Sequence, residues 1–198
     1  MNGRRGIAKP VACTALVLCT HTAHAHLVST ELGPFYDGVI HPFVTPHEVM
    51  TISAFAILAA FTGIETARRQ FFALTVGWTA GLLAGFGGAT LSVPFVSEIA
   101  VLILGILGLS KVRLPPPLLI TAATLIGAGN GLGNATEVQE VSQTPIRSVG
   151  VVVGVFTMSC VLSALAVFAD EHKASVVLRV ISSWIAAIAL LSLGWQLR

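Results

Sequence analysis

"RSVGVVVGVFTMSCVLSALAVFA", residues 147–169, holds a single formal charge, Arg147, at its first position, and then runs apolar to Ala169. A stretch of this length matches the roughly 20 apolar residues that a helix needs to cross a bilayer. The rest of the chain repeats the pattern. Comparable apolar stretches occupy approximately 46–64, 71–89, 93–110, 116–134 and 174–195, each near spanning length. The expected fold class is therefore all-α, a polytopic membrane protein built as a six-transmembrane-helix bundle.

Composition points the same way. The 198 residues are 55% hydrophobic and 10% charged, with a mean hydropathy of +0.87. That leaves too little polar surface to coat a water-soluble globule. The bilayer is the first expected partner.

Residues 1–25 have a different character. Arg4, Arg5 and Lys9 precede a short apolar stretch from Val11 to Cys19, and Ala23-His24-Ala25 follows. This is the pattern of a signal peptide, cleaved before His26, with an apolar part too short to span. Removing it leaves eight Lys/Arg against nine Asp/Glu, with no basic surface for nucleic acid, and Cys160 as the one remaining cysteine. Residues 26–198 then form one domain, with a polar mature N-terminus at 26–45 and a polar loop near 135–146. If the leader exports that N-terminus, Arg68, Arg69, Lys111, Arg113 and Lys173 fall in cytoplasmic connections, as the positive-inside bias requires. Both mature termini are then periplasmic. The outer side carries Glu31, Asp37, Glu48, Glu98, Glu137 and Glu140 against Arg147 and Arg198, a surface that concentrates cations.

Two kinds of small-residue spacing predict close helix packing: Gly77, Gly81 and Gly85 on the second span, and Gly150 with Gly154 on the fifth. Pro115, Pro116 and Pro117 set the start of the fourth span, where missing amide donors cost least.

Candidate chemistry concentrates in "GVIHPFVTPHEVM", residues 38–50. Thr45-Pro46-His47-Glu48 reads as a helix start, with Thr45 as N-cap, Pro46 at the first helical position and Glu48 as the capping-box acid. His41 and His47 are nitrogen ligands suited to nickel, cobalt, copper or zinc, provided that the His41-Pro42 segment folds back over the helix start; Asp37 adds an oxygen. A second polar stretch, "IGAGNGLGNATE" (126–137), sets Asn130, Asn134 and Glu137 on one helical face. Its Gly127, Gly129, Gly131 and Gly133 make an unwound turn, with carbonyls available to an ion, one of its readings; helix-to-helix hydrogen bonding is the other. Glu98, near the outer end of the third span, needs a counter-charge, and Arg147 at similar depth is the simplest one.

These features resemble the HupE/UreJ family of hydrogenase and urease accessory membrane proteins. The resemblance rests on a cleaved leader, a mature chain beginning with His26, His41-Pro42 before the first span, and six spans. The run "PFVSEIAVLILG" (94–105) also looks like that family's Pro-x-x-Glu-x-x-Ile-Ala segment, with Glu98 near the acidic position. The family's first span has a His followed by an Asp-His pair, whereas here imidazole and acid occur in reversed order as His47-Glu48. In its fourth span the family has His-Gly-x-x-His-Gly-x-Glu, where this chain has Asn130 and Asn134 in place of both imidazoles.

The resemblance implies an inner-membrane permease for a divalent transition metal, nickel by analogy, with the ion as cargo and no permanently bound cofactor. His41, His47, Asp37 and Glu48 would receive the ion, and Glu98, Asn130, Asn134 and Glu137 would line its path. The alternative is a non-transporting accessory protein that holds metal or a partner at its periplasmic face. No constellation of an enzyme is recognisable. The oligomeric state is left open, a homo-oligomer included.

Overall fold

The computed structural model describes residues 31–90, 95–139 and 144–197. The leader, His26 and Glu140 lie outside the described residues, as does the side chain of Glu137. Among the described residues there are seven α-helices and no strand: α1 (Pro34–Val44), α2 (Pro46–Ala60), α3 (Ile64–Phe86), α4 (Val96–Leu109), α5 (Pro116–Gln139), α6 (Thr144–Glu171) and α7 (Ser175–Gln196).

Helices α2 to α7 each overlap one of the six expected apolar stretches, α3 beginning seven residues earlier than expected, and α1 is additional. It occupies part of the segment 26–45 that the sequence reading leaves as a polar N-terminus. Pro34 starts α1 after Gly33, and Thr45 ends it. The residue before a proline is driven out of the α region, and Thr45, before Pro46, takes φ −91° and ψ 104°. Helix α2 resumes at Pro46 after a bend of 66°. "HPFVTPHE" (41–48) is thus the elbow between two helices.

By length and composition, α6 and α7 are each able to cross a membrane, and the bent pair α1–α2 together makes up to three candidates. The other stretches fall short of that standard for local reasons. Helices α2 and α4 have 15 and 14 residues, α3 opens with Glu65, Arg68 and Arg69, and α5 carries Asn130 and Asn134.

Helix α2 is the centre of the molecule. Ile52, Phe55, Leu58 and Ala59 are buried, as are Ala54, Ala56 and Ile57 between them, the pattern of a helix surrounded by others. It packs against every other helix. In contrast, Trp184, Leu191 and Trp195 on α7, and Val149, Leu165 and Phe168 on α6, turn outward. An apolar exterior of this extent is the surface that lipid covers. The chain is a helical membrane protein.

The glycine rows act as the spacing predicts. On α3, Gly77 and Gly81 lie against the backbones of Thr124 and Ala128 of α5, and Gly127 and Gly131 of α5 lie against Leu74 and Trp78 of α3. On α6, Gly150 and Gly154 admit Phe35 and Val39 of α1 just as closely. Side chains at any of these positions would hold the backbones apart.

The two ends differ in charge. At one end Lys111 pairs with Asp170 at 3.1 Å and lies over the Phe61 ring, 5.2 Å from its centroid. Arg179 donates there to the Leu109 carbonyl at 2.8 Å. The starts of α2 and α4 and the end of α7 share the opposite end, where Gln196 meets Glu98.

Candidate functional site

At that second end four helices contribute to one buried polar cluster. Glu48, in the first turn of α2, is 5% exposed, and Asn134 on α5 is 3% exposed. Asn134 Nδ2 donates to Glu48 Oε1 at 2.7 Å. The same nitrogen is 2.9 Å from His41 Nε2 of α1. Asn134 Oδ1 accepts from the indole Nε1 of Trp78 on α3 at 2.8 Å. His41 Nε2 lies 3.4 Å from Glu48 Oε1. With an amide donating to it, His41 Nε2 carries its lone pair, the form of imidazole that binds metals.

The elbow makes this meeting possible. Thr45 is at the N-cap position but makes no side-chain cap bond; its hydroxyl donates back to the His41 carbonyl at 2.9 Å. Glu48, freed from a capping box, turns inward to Asn134. This corrects the capping reading of the "TPHE" start. The N-terminal end of α2 still favours a carboxylate there through its dipole.

Two atoms of the site are buried without a hydrogen-bond partner: Glu48 Oε2 and His47 Nε2. Both residues border a cavity of about 550 Å³, whose wall also includes Ser97, Asn130 and Asn134. His41 therefore folds over the helix start, as the metal reading requires, and the acid it meets is Glu48. Asp37 lies in the first turn of α1, four residues before His41 and so on its face of the helix. Among the described residues no three His, Cys, Asp or Glu side chains group as a metal site.

The remaining residues named from sequence are spread around this cluster. Asn130 borders the cavity while its amide donates to the Ile126 carbonyl at 2.8 Å. Glu98 accepts from Ser97 at 2.7 Å and from Gln196 at 2.6 Å, and His47 is within electrostatic reach of it. Arg147 is not its counter-charge: no ion pair joins the two, and Arg147 is buried at the α1–α6 crossing, where its backbone meets Gly38. Glu137 sits in the last turns of α5. The glycine-rich turn is not unwound, since α5 is a continuous helix from Pro116 to Gln139.

The comparison with known families decides whose architecture this is. The HupE / UreJ protein family model matches residues 14–192. The chain belongs to the HupE / UreJ family. That family is associated with nickel or cobalt transport or with accessory functions. No curated protein and no solved structure matches the chain.

Within this HupE / UreJ protein, Trp78 is the site residue that sequence reasoning missed. Its signal was available: an indole N–H deep in an apolar span must find an acceptor, and Trp78 sits beside Gly77 in the α3 glycine row. Trp78→Phe should lower stability by about 1–3 kcal/mol, because Asn134 Oδ1 loses its buried donor. Thermal unfolding in detergent measures this; an unchanged midpoint would mean that the indole does not anchor Asn134.

Proposed function

We propose that this protein is an inner-membrane permease for a divalent transition-metal ion, nickel in the first instance. In this reading α2 to α7 are six crossings, residues 1–25 are a removed leader, and the acidic end with both mature termini faces the periplasm. The observation that carries it is the pair of unpartnered buried atoms, Glu48 Oε2 and His47 Nε2, on residues that border one cavity. An imidazole nitrogen and a carboxylate oxygen are both donors suited to nickel.

The donor set is small, and that favours passage over storage. A conducting site must hold its ion firmly enough to admit it and weakly enough to release it. Two strong ligands, completed by water and neutral amides, meet that condition better than a closed site of four. His41 and Asn134 hold Glu48 in place. Glu98 and Asn130 lie toward the mouth, where their oxygens attract a hydrated cation. The sequence contains no nucleotide-binding loop, so flux is facilitated or gradient-driven.

Uptake of nickel, cobalt, zinc and copper into proteoliposomes tests the proposal. Flux of at least one metal is expected from the intact protein and none from a His41→Ala/His47→Ala variant that is equally well folded. Metal binding without flux in the intact protein would point instead to an accessory role at the periplasmic face.

A further inference from the structure

A second cavity, of about 460 Å³, lies between α3 and α6 and shares no lining residue with the one at His47 and Glu48. Its walls run from Ile64 to Phe71 on α3 and from Cys160 to Glu171 on α6. It therefore extends inward from the start of one helix and the end of the other, at the end of the molecule where Lys111 pairs with Asp170, the neighbour of Glu171. Beyond Phe71 the two helices close on each other, with the Phe71 and Phe156 ring centroids 5.8 Å apart. Ile64 and Phe168 on its border are exposed, so the cavity opens on the apolar exterior that lipid covers.

Arg68, Glu171 and Ser163 border this otherwise apolar cavity. The two charges stay apart: no ion pair joins Arg68 to Glu171, and among the described residues Glu171 has none. Arg68 meets Glu65 only at 3.5 Å, whereas Arg69 holds the same carboxylate at 2.9 Å. An exposed contact of that length is worth little, and it leaves the Arg68 guanidinium available to another anion. Ser163 lies deeper, about 12 Å along the helix axis from Glu171. It is 4% exposed, and its hydroxyl has no hydrogen-bond partner. Thr75, Thr79, Thr124 and Ser182 each donate to the carbonyl four residues earlier, the usual way for such a group to be satisfied in lipid. Ser163 leaves its donor unused.

We propose that this cavity binds a zwitterionic phospholipid with a primary ammonium, a phosphatidylethanolamine. Charge complementarity selects the occupant. The planar guanidinium of Arg68 suits a phosphate, and a primary ammonium has N–H bonds to donate to the Glu171 carboxylate. A lipid carrying only negative charge would set its headgroup against Glu171, and a quaternary choline headgroup has no N–H to donate. Phe71, Val167 and Phe168 receive the first part of an acyl chain, and Ser163 Oγ donates to an ester carbonyl, the acceptor that a phospholipid carries below its headgroup. Binding rests on these residues alone and does not use the permease reading.

Thermal unfolding of the purified full chain in detergent tests this, with phosphatidylethanolamine, phosphatidylcholine and phosphatidylglycerol of identical acyl chains added in turn. Phosphatidylethanolamine should raise the midpoint saturably, on the order of 2–4 °C, and the other two by clearly less. In Glu171→Gln the advantage over phosphatidylcholine should disappear, and in Arg68→Gln the response to phosphatidylethanolamine should fall. Both variants should fold, because both side chains are exposed. The His41→Ala/His47→Ala variant should keep the lipid response, so failure of the metal reading is seen separately. Equal midpoints with the three lipids would overturn the site, as would a preference for phosphatidylethanolamine that survives in Glu171→Gln. A larger response to phosphatidylglycerol would overturn it too, because Arg68 alone would then be drawing the lipid.

Discussion

Glu48→Gln is expected to abolish metal flux while leaving the fold intact. The substitution preserves shape and retains an oxygen to accept from Asn134 Nδ2, which now donates to Glu48 Oε1 at 2.7 Å. It removes the one formal negative charge of the buried cluster. At about 4 Å and an effective dielectric constant near 20, each unit of charge on the ion gains about 4 kcal/mol from a carboxylate. Even after most of that is spent on desolvation, the loss should lower uptake by more than about tenfold. Stability should hold or rise, because a buried carboxylate with one unpartnered oxygen is itself costly. The contrast with a helix cap is sharp: glutamine serves a capping box as well as glutamate does. Undiminished uptake by Glu48→Gln would therefore remove Glu48 from the ion's path and return it to a structural role.

Much of the architecture can be read from local pattern. Six apolar stretches anticipate the positions of α2 to α7, and Gly77, Gly81, Gly150 and Gly154 mark the contacts at which backbones meet. Both are properties of a single segment, visible in hydropathy and spacing. The site is different because its bonds join distant segments: Asn134 reaches back 86 residues to Glu48, 93 to His41 and 56 to Trp78. No spacing rule within "HPFVTPHE" tells that His41 meets Glu48 across an elbow. The helical state of 34–44 was hidden by its prolines. Pro34 and Pro46 open α1 and α2, where a helix tolerates proline, whereas Pro42 stands inside α1 and removes the amide that would have bonded to the Gly38 carbonyl. Asn130 and Asn134 share a helix face, as their spacing predicts. Spacing alone does not separate the amide that anchors Glu48 from the one that bonds within its own helix.

The glycines of "IGAGNGLGNATE" should divide into two classes when substituted. Gly131→Leu places a side chain on the Trp78 carbonyl, with Leu82 N only 2.9 Å from the new Cβ. Both neighbours are backbone atoms of α3 and cannot turn aside. Helices α3 and α5 must part, which costs on the order of 3 kcal/mol or more, and the parting also draws Trp78 away from Asn134. Little folded protein is expected, measured as the monodisperse fraction after detergent extraction. Gly133→Ala should do the opposite. Nothing lies within 4 Å of its added Cβ, and alanine favours a helix interior by about 1 kcal/mol over glycine. Its unfolding midpoint should rise. Gly133 borders the cavity beside His47 and Glu48, so flux measured on the same variant bears on why a glycine stands there. If α5 remains helical while the ion passes, flux in Gly133→Ala should be unchanged. A more stable protein that transports poorly would mean that this turn of α5 must open, and that its glycine is retained for movement at the expense of stability.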